Sequence, residues 1–236
     1  MKKILFFLFT LNVTLMGFSQ TISDPNAIVR KLNGSFHAIK VSDGVELFLS
    51  QGSQEAVAVS AGKQEYFDKF KTEVENGVLK IYYDESWGNW NAKNRNLKAY
   101  VTCINLDELK ASSGSDVNIS GAIKSTNFSL QVSSGSDFEG NLVVSNMQVN
   151  SSSGSSIRLS GSATTTRVKS SSGSDIKGFS FTTESCDADA SSGSGIEISV
   201  SKDLIAEASS GGSIKYKGAA VIKEISKSSG GSIKKI

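Results

Sequence analysis

The sequence predicts an all-β chain: a parallel β-helix of about 19–20 residues per coil, preceded by irregular strands and a hairpin that act as its cap. Three observations predict it. The phrase Ser112-Ser-Gly-Ser-Asp116 recurs as Ser133-Ser-Gly-Ser-Asp137, Ser152-Ser-Gly-Ser-Ser156, Ser171-Ser-Gly-Ser-Asp175, Ser191-Ser-Gly-Ser-Gly195, Ser209-Ser-Gly-Gly-Ser213 and Ser228-Ser-Gly-Gly-Ser232. Its glycines, at 114, 135, 154, 173, 193, 211 and 230, are spaced by 21, 19, 19, 20, 18 and 19 residues, a near-constant period whose variation loops can absorb. Apolar columns accompany the phrase: Val117, Phe138, Ile157, Ile176, Ile196, Ile214 and Ile233 after each glycine, and Leu109, Leu130, Val149, Val168, Ala188, Ala206 and Ile225 before it. The residue after the first column is polar throughout: Asn118, Glu139, Arg158, Lys177, Glu197, Lys215 and Lys234. Alternation of this kind is the mark of a strand with one face inward, and a Gly/Ser-rich flexible linker would lack the apolar columns. Ser-Ser-Gly then forms the recurrent corner, because glycine takes positive φ without Cβ strain.

In chain order, residues 1–19 read as a secretory signal. Lys2-Lys3 is its charged region, Ile4 to Met16 its apolar core, and cleavage is expected after Ser19. The apolar core is too short to span a bilayer comfortably. Without that leader the two charge signs balance, so nucleic-acid binding has little electrostatic support. Residues 20–35 read as a loosely held arm. Residues 36–106 form an N-terminal β part: strands either side of Ser42-Asp43-Gly44, a strand at Ala56–Val59, one or two helical turns within Gln64–Phe70, and a hairpin around Asn76-Gly77. Trp87 and Trp90 lie in an irregular stretch, and Leu97–Leu106 resumes as a strand. Residues 107–236 are the repeats. Cys103 and Cys186 fall about four coils apart, roughly 19 Å at strand spacing, too far for a disulfide.

Three segments together carry a family resemblance: Phe36-His-Ala-Ile-Lys-Val-Ser-Asp-Gly-Val-Glu-Leu-Phe-Leu-Ser-Gln-Gly52, Lys71-Thr-Glu-Val-Glu-Asn-Gly-Val-Leu-Lys-Ile81, and Leu97-Lys-Ala-Tyr-Val-Thr-Cys-Ile104 running on into Leu109-Lys-Ala-Ser-Ser-Gly-Ser-Asp116. From residue 36 onward the chain resembles the head GIN domain of putative auto-transporter adhesins. The resemblance implies an exported protein of Bacteroidetes-type bacteria, a β-solenoid of short strands, and an adhesive or envelope role. It brings no catalytic residue and no cofactor.

The residues themselves offer few candidates for chemistry. The single histidine, His37, sits on a predicted strand with no serine partner in view, which leaves no Ser-His-Asp set. Histidine-based zinc sites fail on the same count. Asp116, Asp137 and Asp175 share one corner position and are candidate cation ligands, in a column broken by Ser156, Gly195, Ser213 and Ser232; the competing reading is a hydrogen bond from each aspartate to its own corner. Arg158, Lys177 and Glu197 share an outward column, and a polysaccharide-binding or polysaccharide-cleaving surface is the enzymatic alternative that a β-helix admits. Trp87 and Trp90 either stack on a sugar or cap the first coil. The expectation is a non-enzymatic, exported adhesin-like or scaffold solenoid, with a surface glycan or protein as partner. Self-association through the last coil is a further possibility, which Lys227, Lys234 and Lys235 would blunt or direct.

Overall fold

The structure is a computed structural model and describes residues 23–84 and 95–236. The signal-like leader, Trp87 and Trp90 lie outside these residues.

Among the described residues, sixteen strands form one continuous sheet. The N-terminal part holds β1 (Ile28–Arg30), β2 (Ala38–Val41), β3 (Glu46–Gln51), β4 (Ala56–Ser60), β5 (Phe70–Glu75), β6 (Val78–Tyr83) and β7 (Lys98–Cys103). The coils follow as β8 (Glu108–Ala111), β9 (Asp116–Val132), β10 (Asp137–Ser151), β11 (Ser156–Ser170), β12 (Asp175–Ala190), β13 (Gly195–Ala208), β14 (Ser213–Lys217), β15 (Val221–Lys227) and β16 (Ser232–Lys235). From β8 onward every pairing is parallel, and the phrases stack in register: Asp116 against Asp137, Asp137 against Ser156, Ser156 against Asp175. The β-helix of about seven coils is as the periodicity predicts.

The apolar columns face inward. Val117, Phe138, Ile157, Ile176, Ile196, Ile214 and Ile233 are all buried, as are Leu109, Leu130, Val149, Val168, Ala188 and Ala206. Each coil closes its aliphatics against those of its neighbours, contributing roughly 1.5–3 kcal/mol per large side chain. Ile225 departs from expectation and is 41% exposed. Its strand, β15, pairs only with β13, so no further coil among the described residues covers it. An extra residue, Lys223, bulges from β15, and its ammonium meets Asp203 one coil back at 3.1 Å. Bulges and lysines of this kind blunt an open edge.

The N-terminal part is more solenoid-like than its sequence suggests. The strands either side of Ser42-Asp43-Gly44 do not pair with each other. Instead β2 stacks in parallel on β8, and β3 on β9. They form a coil of their own beneath the first Ser-Ser-Gly corner, and the Gly44 amide donates to Ser113 O at 3.0 Å. The Asn76-Gly77 hairpin forms as predicted: β5 pairs antiparallel with β6, and Asn76 (φ 51°) and Gly77 (φ 76°) both take positive φ. The helix expected within Gln64–Phe70 is a single 3-10 turn at Gln64–Tyr66. The arm is not loose, because β1 pairs antiparallel with β4. The Arg30 guanidinium reaches the Phe67 and Phe70 carbonyls, and Ser60 and Tyr100 donate to Asp24. Cys103 and Cys186 are free and buried.

Candidate functional site

The corners are built from two left-handed residues, not one. In each phrase the second serine joins the glycine at positive φ: Ser113 at 57°, Ser134 at 57°, Ser153 at 54°, Ser172 at 54°, Ser192 at 52°, Ser210 at 48° and Ser229 at 47°. Two consecutive positive φ values are the pattern of a type I′ turn. A serine in this region costs about 1–2 kcal/mol, and a ladder of bonds offsets it. Gly114 donates to Ser134 O, Gly135 to Ser153 O and Gly154 to Ser172 O, and so on up the stack at 3.0–3.1 Å. The fourth residue turns inward as a second ladder: Ser115, Ser136, Ser155, Ser174 and Ser194 are buried. Ser174 Oγ donates to Ser171 O at 2.8 Å, and Ser194 Oγ donates to Ser170 O at 2.6 Å. These serines make the corner bonds that the aspartates were expected to make. In the last two phrases glycine replaces the inward serine; a Cβ at Gly212 would lie 2.2 Å from Ala190 O.

Released from the corner, the aspartates form an outward column. Asp116 and Asp137 are register neighbours, with Glu46 next in line below. Burial, then the neighbouring Asp137 charge, push the Asp116 carboxyl above the ordinary range. Asp175 stands apart from that pair, with Ser156 between it and Asp137. No group of three or more His, Cys, Asp or Glu side chains is placed to hold a metal among the described residues. His37 is an exposed residue whose Nδ1 lies 3.0 Å from Asp107, and that hydrogen bond raises its pKa.

The polar column is assembled as the repeat implies. Asn118, Glu139, Arg158, Lys177, Glu197, Lys215 and Lys234 follow one another in register. Glu139 and Arg158 meet at 4.0 Å, and Glu197 and Lys215 at 3.3 Å. Lys177, between the two pairs, makes no ion pair among the described residues.

Where this face bends into the next, coil-length differences cut a cleft. Opposite Gly140 alone, β9 carries Ile119, Ser120 and Gly121; opposite Leu159 alone, β12 carries Gly178 and Phe179. The two long coils therefore bulge on either side of two short ones. The result is a cleft of about 430 Å³ with Ile119 and Phe179 at its ends, Gly140 and Leu159 between them, and the charged column along one rim. Asn141, Ser160 and Ser180 supply amide and hydroxyl groups. Gly140 leaves room for the side chains packed over it, since a Cβ there would lie 2.7 Å from Ile119 Cδ1 and 2.9 Å from Phe138 Cζ. Phe179 is half-buried, and Lys217 Nζ sits 5.0 Å from its ring centroid. Arg158, Lys177 and Glu197 were legible as a column; Ile119 and Phe179 were missed. The signal was the two longest glycine intervals, 21 and 20, which mark the coils that bulge.

Comparison with known proteins agrees with this architecture. The family described as putative auto-transporter adhesin, head GIN domain, matches residues 35–220. Among solved structures, a putative adhesin from Bacteroides fragilis superposes with a TM-score of 0.81 at 20% identity, covering 90% of this chain and 98% of that one. A putative lipid binding protein from Parabacteroides distasonis gives 0.64 at 20% identity, over 90% and 98% of the two chains. A putative adhesin from the same species gives 0.64 at 18% identity, over 89% and 97%. At these identities the likeness is one of fold. No curated protein matches the chain in sequence.

Proposed function

The chain belongs to the head GIN domain family of putative auto-transporter adhesins, and from that premise we propose that it is an exported, non-enzymatic adhesion or envelope-scaffold domain. It meets a surface glycan or protein with the charged long face of its solenoid. The observation that carries this reading is the in-register column from Asn118 to Lys234 with a cleft at its centre. A rigid sheet holds these side chains at fixed spacing, which reduces the ordering cost of binding an extended partner.

The same geometry disfavours catalysis. Glu139 and Glu197 are the carboxylates on the cleft rim. They stand three coils apart, about 14 Å at strand spacing, whereas glycoside hydrolysis uses carboxyls roughly 5–9.5 Å apart. Each is also drawn toward a cation on a neighbouring coil. The test is incubation with a panel of envelope polysaccharides and whole cells, reading retention of the protein and release of reducing ends. Retention without release is expected. New reducing ends, or no retention on any surface, would overturn the reading.

A further inference from the structure

Lys177 is the cation that the column leaves over at the cleft. Its neighbours are committed, Arg158 to Glu139 and Glu197 to Lys215, while its own ammonium has no ion-pair partner among the described residues. It lines the central cleft and also a second concavity of about 280 Å³ that continues toward Gly195 and Lys215. The two share Lys177 and Glu197, so an unpaired positive charge stands where they adjoin.

The remaining walls narrow the ligand class. The floor strands, β10 to β12, are interior to the sheet and pair on both sides except at the bulges, where the Ser160 and Ser199 hydroxyls donate to the Gly140 and Phe179 carbonyls. An extended peptide has no free strand edge to add to. Instead the cleft offers Ile119 and the part-exposed Phe179 ring, over which the Lys217 ammonium sits, for apolar contact, with the Ser180 hydroxyl, and the Ser160 hydroxyl as an acceptor, for short-range hydrogen bonds. A ring with one apolar face and many hydroxyls suits that lining, and a carboxylate on the ring suits the ammonium. We propose that the cleft takes a carboxylate-bearing sugar of an acidic glycan, its carboxylate received by Lys177 and its ring lying against Phe179. This inference rests on the adhesive reading and names the ligand of the same face.

The experiment is calorimetric or NMR titration of the full chain with a galacturonate tetramer, its uncharged methyl ester and a tetraglutamate peptide. The acidic sugar is expected to bind roughly tenfold or more tightly than the ester, the gain of one charge-assisted contact, and to weaken as salt rises. Lys177→Ala should erase the difference, Lys177→Arg should keep most of it, and Lys124→Ala, outside the cleft, should leave it unchanged. Equal binding of acid and ester, no binding of either sugar, equal binding of tetraglutamate, or indifference to Lys177→Ala would each overturn the proposal. Retention on whole cells, measured in parallel, separates that failure from failure of the adhesive reading: cells that hold wild type and Lys177→Ala alike leave adhesion standing without the acidic-sugar site.

Discussion

Ile176→Ala and Lys177→Ala, one residue apart, probe opposite sides of the same strand. Ile176 is 1% exposed and sits in register between Ile157 and Ile196. Truncation removes three carbons, about 2.4 kcal/mol at ~0.8 per methylene. Coils above and below hold the backbone at strand spacing, so the void cannot collapse freely. The cavity term carries the total to about 3–4 kcal/mol, inside the ~2–5 range for buried aliphatic truncations. Lys177 is exposed and makes no ion pair among the described residues, so its truncation should cost less than about 0.5 kcal/mol. Urea unfolding followed by circular dichroism reads both: the midpoint should fall by roughly 1 M or more for Ile176→Ala and barely move for Lys177→Ala. Equal shifts, or a larger one for the lysine, would refute the inside–outside assignment of the whole repeat.

Two glycines should separate conformational from steric need: Gly154 (φ 70°) has nothing within 4 Å of a built Cβ, so Gly154→Ala should cost about 1–2 kcal/mol, whereas at Gly161 (φ 109°) a Cβ would lie 2.1 Å from Leu142 O, so Gly161→Ala should cost distinctly more in the same assay. The Asp116 carboxyl titrates above its unfolded value, so its ionisation opposes folding: its contribution is full below the unfolded pKa and is lost as pH rises through the folded one. Asp116→Asn should therefore raise the melting temperature at neutral pH and leave it nearly unchanged near pH ~3; a drop at neutral pH would contradict this. His37 should titrate by NMR above its ordinary 6.5, because Asp107 bonds its ring, and Asp107→Asn should bring the midpoint down; no change on substitution would contradict that bond.

Much of this molecule was legible because a solenoid writes its core as columns. The inward aliphatics, the outward Asn118-to-Lys234 series and the Asn76-Gly77 hairpin each follow from a local rule of alternation or turn chemistry. What escaped notice depends on neighbours the sequence does not show side by side. Ser153 has no strong preference for left-handed backbone; a stacked corner that accepts its carbonyl bond holds it there. Ser42-Asp43-Gly44 lacks the Ser-Ser phrase and reads as an isolated turn, yet the coil above it makes it the first corner. The arm pairs with β4 through three residues, Ile28–Arg30, too short a run to stand out from irregular chain. Ile225 follows the column rule and is exposed because burial here comes from the next coil, not from the residue's own strand. The cleft was present in the sequence only as unequal intervals between glycines, and its meaning needed the register to place the extra residues at one bend.

The stacked register itself is tested most directly by distances between spin labels on the outward column. Cysteine introduced at Lys234, paired in turn with cysteine at Asn118, Glu139 or Arg158, gives three doubly labelled proteins. The native Cys103 and Cys186 thiols compete little for label, since both are buried and burial pushes them up to about 11 and about 12. Pulsed electron spin resonance should return separations near 29, 24 and 19 Å, falling by about 4.8 Å for each coil removed. Distances that do not step down by one strand spacing per repeat would contradict the stack, and with it the column and the cleft built upon it.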